Sequence, residues 1–241
     1  MKTSSLLKIP PPFSMRPDIR AILLYLISIF LITGCANMFI KQYGYVSSDA
    51  EIISKDNKTI SIPYNAPSIS QGYKPQSFGQ NHNSDKGGHE GIDIISKKGT
   101  PVIAAASGVV ISSFYRPLFG NRIVIDHGKD IHGMFIMSRY VHLDKRMVKK
   151  GDKIVRGQQI GTLGSTGLLA GGFPHLHFEI RFGAQSDISK SEPHNPHKFW
   201  MNGPGEVTCF DINSQWSDKP FRTTYPVPCK GIKWQSKSAT I

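Results

Sequence analysis

A chain of 241 residues is long enough for one domain with a sizeable core plus extensions. Its 29 Lys and Arg against 17 Asp and Glu give a formal net charge of +12, a balance that favours anionic partners. No internal repeat and no low-complexity tract is visible, which sets aside repeat arrays and compositionally biased segments.

The first element is an apolar run from Ala21 to Ile32, broken only by Ser28 and preceded by Lys2, Lys8, Arg16 and Arg20. It falls short of the roughly 20 residues a spanning helix needs, and it has the charged flank of a secretory signal. The run ends in Leu31-Ile-Thr-Gly-Cys35, which resembles the lipobox of bacterial lipoproteins. That resemblance implies a signal peptide over residues 1–34 and a mature chain that begins at an acylated Cys35. The protein would then sit in the cell envelope on the periplasmic side, with Ala36 suggesting the outer membrane in a Gram-negative cell. The alternative is a membrane-anchoring or buried helix with an incidental cysteine. Pro10 to Pro12 are unusual in a signal, and a start at Met15 gives one of ordinary shape. The exported part keeps 25 basic and 16 acidic residues, a net +9. Nucleic acid is not an expected partner there; wall polymers, anionic lipid or lipopolysaccharide are. Export also leaves Cys209 and Cys229 as an even pair in a compartment that permits disulfides, and they are expected to bond.

Residues 35–71 read as a polar tether with minor strands such as Thr59-Ile-Ser-Ile62, broken by Pro63 and Pro67. Gly72 to Gly88, rich in Gly, Asn, Gln and Ser, reads as a loop leading into a site. From Gly91 to Ile180 short apolar runs alternate with glycine and charged turns: Ile92–Ile95, Pro101–Ala106, Gly108–Phe114, Arg122–Asp126, Met134–Leu143, Gln159–Leu163 and Leu176–Ile180. Even spacing and Val/Ile density predict an all-β sandwich or barrel over residues 72–200, with no long helix before Pro193. Residues 201–241 form a C-terminal extension with Trp216, Trp234, four prolines and the cysteine pair, expected to have little core of its own.

Chemistry concentrates in Gly172-Phe-Pro-His-Leu-His-Phe-Glu-Ile180. Residues two apart in a strand share a face, so His175 and His177 point into one space while Leu176 and Phe178 anchor the strand from the other side. That makes a candidate metal site. Upstream, Gly88-His-Glu-Gly-Ile-Asp93 spaces His89 and Asp93 four apart, about 13 Å if fully extended. Ligating one ion through bonds of about 2 Å requires a bend between them, which Gly91 permits. With His177 as third ligand the set is His2Asp with an open position, the arrangement of a catalytic zinc site.

His89-Glu-Gly-Ile-Asp93, Gly120-Asn-Arg-Ile-Val-Ile-Asp-His-Gly128, Tyr140-Val-His-Leu143, Gly151-Asp-Lys-Ile-Val-Arg-Gly-Gln-Gln-Ile-Gly161 and Pro174-His-Leu-His-Phe-Glu179 stand in the order and rough spacing of the M23 zinc metallopeptidases, the lysostaphin and LytM type. The resemblance covers about residues 72–200. It implies a mostly antiparallel β fold with one zinc per chain in a groove, and hydrolysis of peptide bonds in peptidoglycan cross-links or stem peptides. Zinc ligands fall on His89, Asp93 and His177, and the two catalytic histidines on His142 and His175. None of these positions is substituted, whereas inactive members of the family, which activate other wall enzymes, have lost some.

The remaining polar residues take plainer roles. His127 reads as a strand-end or turn residue, and His82, His132, His194 and His197 as loop or surface histidines. Glu90 points away on a bent strand, Ser165 and Thr166 belong to a turn, and Gly164–Gly172 reads as a flap over the cleft. Two rival functions remain: a non-catalytic wall-binding regulator of an amidase, with a divisome or amidase partner, and a biotin- or lipoate-type carrier. The carrier would need a modified lysine in a Met-Lys-type turn, which is absent.

Overall fold

The computed structural model describes residues 52–53, 59–74 and 88–234. The signal segment, Cys35, most of the tether and His82 lie outside the described residues. Strands dominate, and apart from three single-turn 3-10 segments no helix occurs among the described residues.

In chain order the strands are β1 (Ile52–Ile53), β2 (Thr59–Ile60), β3 (Ile69–Gln71), β4 (Ile92–Ile95), β5 (Pro101–Ile103), β6 (Gly108–Arg116), β7 (Gly120–Lys129), β8 (Phe135–Leu143), β9 (Lys145–Arg146), β10 (Lys153–Ile154), β11 (Gln159–Thr162), β12 (His175–Gly183) and β13 (Ser191–His194). The main sheet runs β10-β6-β7-β8-β12-β4-β3, with β13 also on β12, and every named pairing is antiparallel. A small sheet, β5-β11-β9, stands apart from it. The architecture is thus all-β and antiparallel.

Strict alternation gives the main sheet two unlike faces. Ile92 and Ile94 of β4, Ile123 and Ile125 of β7, Ile136 and Tyr140 of β8, and Leu176, Phe178 and Ile180 of β12 belong to one buried core. The residues between them, among them Asp93, Arg122, Arg139, His175, His177, Glu179 and Arg181, occupy the other face. The inner face packs with Val102 of β5, Ile160 of β11 and a group from the C-terminal extension.

The extension belongs to this same core. Val207, Tyr225, Val227 and Cys229 are buried in it beside Trp200. Its backbone is stitched to distant strands: Ile103 N donates to Pro226 O, Thr224 N to Ala105 O and Val207 N to Ser61 O, each at 2.9 Å. Cys209 and Cys229 are joined by a disulfide. The buried Arg156 guanidinium donates to Ala105 O, Asp218 Oδ1 and Arg222 O, so one side chain ties the small sheet's neighbourhood to the extension. Residues 201–232 therefore do not need a core of their own; they complete the one the strands leave open.

Candidate metal centre

Pairing of β12 with β4 sets His177 directly opposite Asp93. His89 comes in from the bend before β4, where its backbone pairs with Lys74. The bend closes the span that an extended chain would leave: His89 Nε2 lies 3.1 Å from Asp93 Oδ1 and 3.1 Å from His177 Nδ1, and His177 Nδ1 lies 2.8 Å from Asp93 Oδ1. Gly91 is required here for a reason other than clearance around an ion. A Cβ on it would stand 2.2 Å from the Phe178 carbonyl oxygen, inside the backbone of β12.

The outward nitrogens of the two imidazoles fix their protons. His89 Nδ1 lies 2.9 Å from Gly72 O, and His177 Nε2 lies 2.9 Å from Glu179 Oε1. Those oxygens can only accept, so each outward nitrogen is an N–H and, in the neutral ring, each inward nitrogen is the one that offers a lone pair. His89 Nε2, His177 Nδ1 and Asp93 Oδ1 then face one another as the three atoms able to donate to one ion. Two imidazoles and a carboxylate are ligands suited to zinc, whose bonds of about 2.0–2.2 Å separate tetrahedral donors by about 3.3 Å, close to the spacing seen. The residues fit a divalent cation. Without one, burial would lower the His177 pKa, but hydrogen bonds to Asp93 and Glu179 hold it up, at about 9, so Nδ1 gives up a proton when it takes a cation. Asp93, despite burial that favours its neutral form, is kept ionised far below the ordinary carboxylate range by His177 and His89.

Glu179 is the functional residue that the sequence reading passed over. It is 1% exposed and accepts from His177, from Arg139 Nη1 (3.2 Å) and from Arg181 Nη1 (2.9 Å). Burial alone would raise its pKa; the hydrogen bond from His177 and the charges of Arg139 and Arg181 hold it at about 2. Arg181 also pairs with Glu90 at 2.9 Å. Alternation could have found Glu179, since it follows His175 and His177 at the same period of two.

His142 and His175 flank the cluster, with ring centroids 4.8 Å apart and His142 6.2 Å from His177. His175 comes from the main face of β12, whereas His142 reaches it by an irregularity. Between Asn121↔Leu143 and Ile123↔Tyr140, two residues of β8, Val141 and His142, stand against Arg122 alone. This β-bulge, with His142 at φ 64°, the one positive φ among described non-glycine residues, turns the imidazole onto the polar face. Each ring is then oriented by a carbonyl: His142 Nδ1 donates to Thr166 O and His175 Nδ1 to Phe173 O, both at 2.9 Å. Both Nε2 atoms are left with lone pairs. Burial, reinforced by the neighbouring His175, pushes the His142 pKa down to about 4, and burial likewise lowers that of His175.

The turn expected at Ser165 and Thr166 thus holds His142 in place. Its segment is tied down rather than loose, with Leu168 N bonded to Pro117 O and Leu169 N to Leu118 O. His127 is partly buried, bridging Ser107 O and Ser138 Oγ, and desolvation of its ring drives its pKa down to about 4. His197, expected at the surface, is instead buried: Trp200 Nε1 donates to its Nδ1 at 3.0 Å. His132 and His194 are exposed.

A cluster of lone pairs beside neutral imidazoles suits metal-assisted hydrolysis. The model of peptidase family M23 matches residues 87–196, the stretch that holds all five of these side chains. It is 46% identical over 92 residues to the peptidoglycan DD-endopeptidase ShyA of Vibrio cholerae, covering 38% of this chain and 20% of ShyA. With the murein hydrolase activator NlpD of Escherichia coli it shares 38% identity over 104 residues, 43% of this chain and 25% of NlpD. The catalytic domain of the antimicrobial peptidase lysostaphin from Staphylococcus simulans is 33% identical, covering 54% of this chain and 89% of that one, with a TM-score of 0.42. The chain thus spans only a fifth to a quarter of the length of these curated relatives.

Proposed function

We propose that this chain is a zinc-dependent endopeptidase that hydrolyses peptide bonds in peptidoglycan cross-links or stem peptides. The observation that carries the reading is the convergence of His89 Nε2, His177 Nδ1 and Asp93 Oδ1, with both tautomers fixed from outside. One zinc held by these residues would supply Lewis-acid polarisation of a peptide carbonyl. The chain's own part is proton traffic. Neutral His142 and His175 each offer an Nε2 lone pair, so one accepts a proton from the attacking water. The other, once protonated, donates to the oxyanion or to the leaving amine. The carbonyls of Thr166 and Phe173 keep both rings aimed while this happens. Glu179 keeps the lone pair of His177 turned towards the ion.

The disulfide supports an oxidising, extracytoplasmic setting. With the lipobox at Leu31–Cys35, this reading places the protein in the envelope on an acyl anchor at Cys35. The likeness to NlpD favours one rival, a non-catalytic regulator of a wall amidase. Digestion of purified wall by the zinc-loaded protein, with mass spectrometry of the released muropeptides, decides between them. Fragments that vanish with chelator and with His177→Ala support the peptidase; wall binding without released fragments supports the regulator.

A further inference from the structure

The polar face holds one more group whose chemistry is incomplete. Arg122 is 7% exposed, yet no hydrogen bond or ion pair reaches it among the described residues, and its Nε is sealed from solvent without a partner. Its neighbour Arg139 is 5% exposed and gives Nη1 to Glu179, while its Nε and Nη2 are likewise sealed and unpartnered. What surrounds the pair is aromatic: Arg122 lies over Phe114 at 4.4 Å and Arg139 over Phe119 at 4.3 Å, with Arg116 also over Phe114 at 5.2 Å.

The carboxylates on this face are already engaged. Glu179 serves His177, Arg139 and Arg181; Glu90 serves Arg181; Asp93 serves the two imidazoles. Glu179 is near enough to act on Arg122 but is bonded to His177, Arg139 and Arg181, so Arg122 is left with no carboxylate in direct contact, a costly arrangement for a largely buried charge. Burial and the charges of Arg139 and Arg116 push its pKa down to about 10, against a smaller opposing pull from Glu179. Its place is equally specific. Arg122 is the single β7 residue facing the Val141–His142 bulge, and β7 lies two strands from β12, roughly 10 Å from the strand carrying His177. Along an extended peptide that distance is about three residues.

We propose that Arg122, backed by Arg139, binds a carboxylate of the peptide substrate within about three residues of the scissile bond. The proposal rests on the peptidase reading for what the peptide is, and not for whether an anion binds. Guanidinium forks match carboxylates in a bidentate geometry, and the aromatic setting strengthens the bond by excluding water. The site would thereby select peptides whose carboxylates are free over those in which they are amidated.

The test uses a wall stem tetrapeptide with free carboxylates and the same peptide fully amidated. Each is titrated into the zinc-loaded protein by calorimetry, with the arginine Nε–Hε resonances followed by NMR. The wild type should bind the free form at least about tenfold more tightly, the scale of a hydrogen bond to a charged group. The Arg122 resonance should move with the free form alone. Arg122→Gln should bring the two peptides within about twofold while holding or raising the melting temperature, because an unpaired buried charge has gone. Discrimination that persists in Arg122→Gln would place the carboxylate elsewhere, on the metal for instance, and overturn the proposal. A lowered melting temperature with unchanged discrimination would make Arg122 merely structural. If Arg122→Gln does not fold, Arg122→Lys and the wild-type resonance decide: a signal indifferent to both peptides sinks the idea. Carboxylate-dependent binding by a protein that cleaves nothing would defeat the peptidase reading and leave this one standing; hydrolysis indifferent to amidation would do the reverse.

Discussion

The two faces of the main sheet are made by the same strands and obey different rules. On β12, Leu176, Phe178 and Ile180 enter the core while His175, His177, Glu179 and Arg181 stand on the reverse. Inside, a residue is held by shape and by apolar area removed from water, so a neighbour of similar volume would serve. On the reverse each group is held by a particular atom of another group: Gly72 O for His89, Glu179 for His177, Thr166 O for His142, Phe173 O for His175. One face therefore fails by degrees, and the other fails at single atoms.

The sharpest break of this contrast is His177→Ala. It should remove bound zinc, read by elemental analysis, and lower hydrolysis by more than about 100-fold, the upper end for losing a mere supporting partner. Folding should be little harmed by comparison. Phe178→Ala, one residue away on the opposite face, should do the opposite: about 3–5 kcal/mol of stability lost in urea titration, with zinc affinity of the folded fraction nearly unchanged. If both variants lose metal equally, the faces are coupled and the contrast is wrong.

Replacing Cys209 and Cys229 by serine tests the inner face from its far side. With a sequence separation of 20, the chain-entropy model assigns the crosslink about 3 kcal/mol, so the denaturation midpoint should drop while turnover at low temperature persists.

Acid probes the partly buried polar groups away from the centre. His127 titrates at about 4 when folded, below its ordinary 6.5, because desolvation favours the neutral ring. The unfolded chain therefore takes up the proton first. The stability that depends on neutral His127 is complete above pH 6.5 and is lost as pH falls towards 4, by up to about 3 kcal/mol. His127→Gln should flatten that part of the stability–pH curve.

The smallest effect expected is that of Glu179→Gln. It keeps the shape but weakens the hold on His177, and zinc affinity measured by chelator competition should fall about 10- to 100-fold. An unchanged affinity would mean that the outward hydrogen bond of His177 is ornamental.

Much of this was legible in the residues because alternation is local. The strand set, the opposition of the two faces and the meeting of His89, Asp93 and His177 follow from spacings within short stretches and from the family likeness. What escaped depends on register between distant strands. The bulge that turns His142 exists only because Asn121 meets Leu143 while Ile123 meets Tyr140. His197 is buried by its place under Trp200, and nothing in Pro196-His-Lys198 announces that. The extension's share in the core rests on pairings more than 100 positions apart, such as Thr224 with Ala105 and Tyr225 with Pro67, which no local pattern carries.

That last feature limits how the molecule can be divided. The stretch that marks its ancestry ends near residue 196, but Trp200, Val207, Tyr225 and Val227 roof the interior from beyond that limit. Cut at residue 196, the core would keep Val102 and Ile160 but lose the side chains that close it from the extension, leaving apolar surface open to water. The candidate metal centre thus stands on a sheet whose other side is finished by a stretch that contributes no ligand to it.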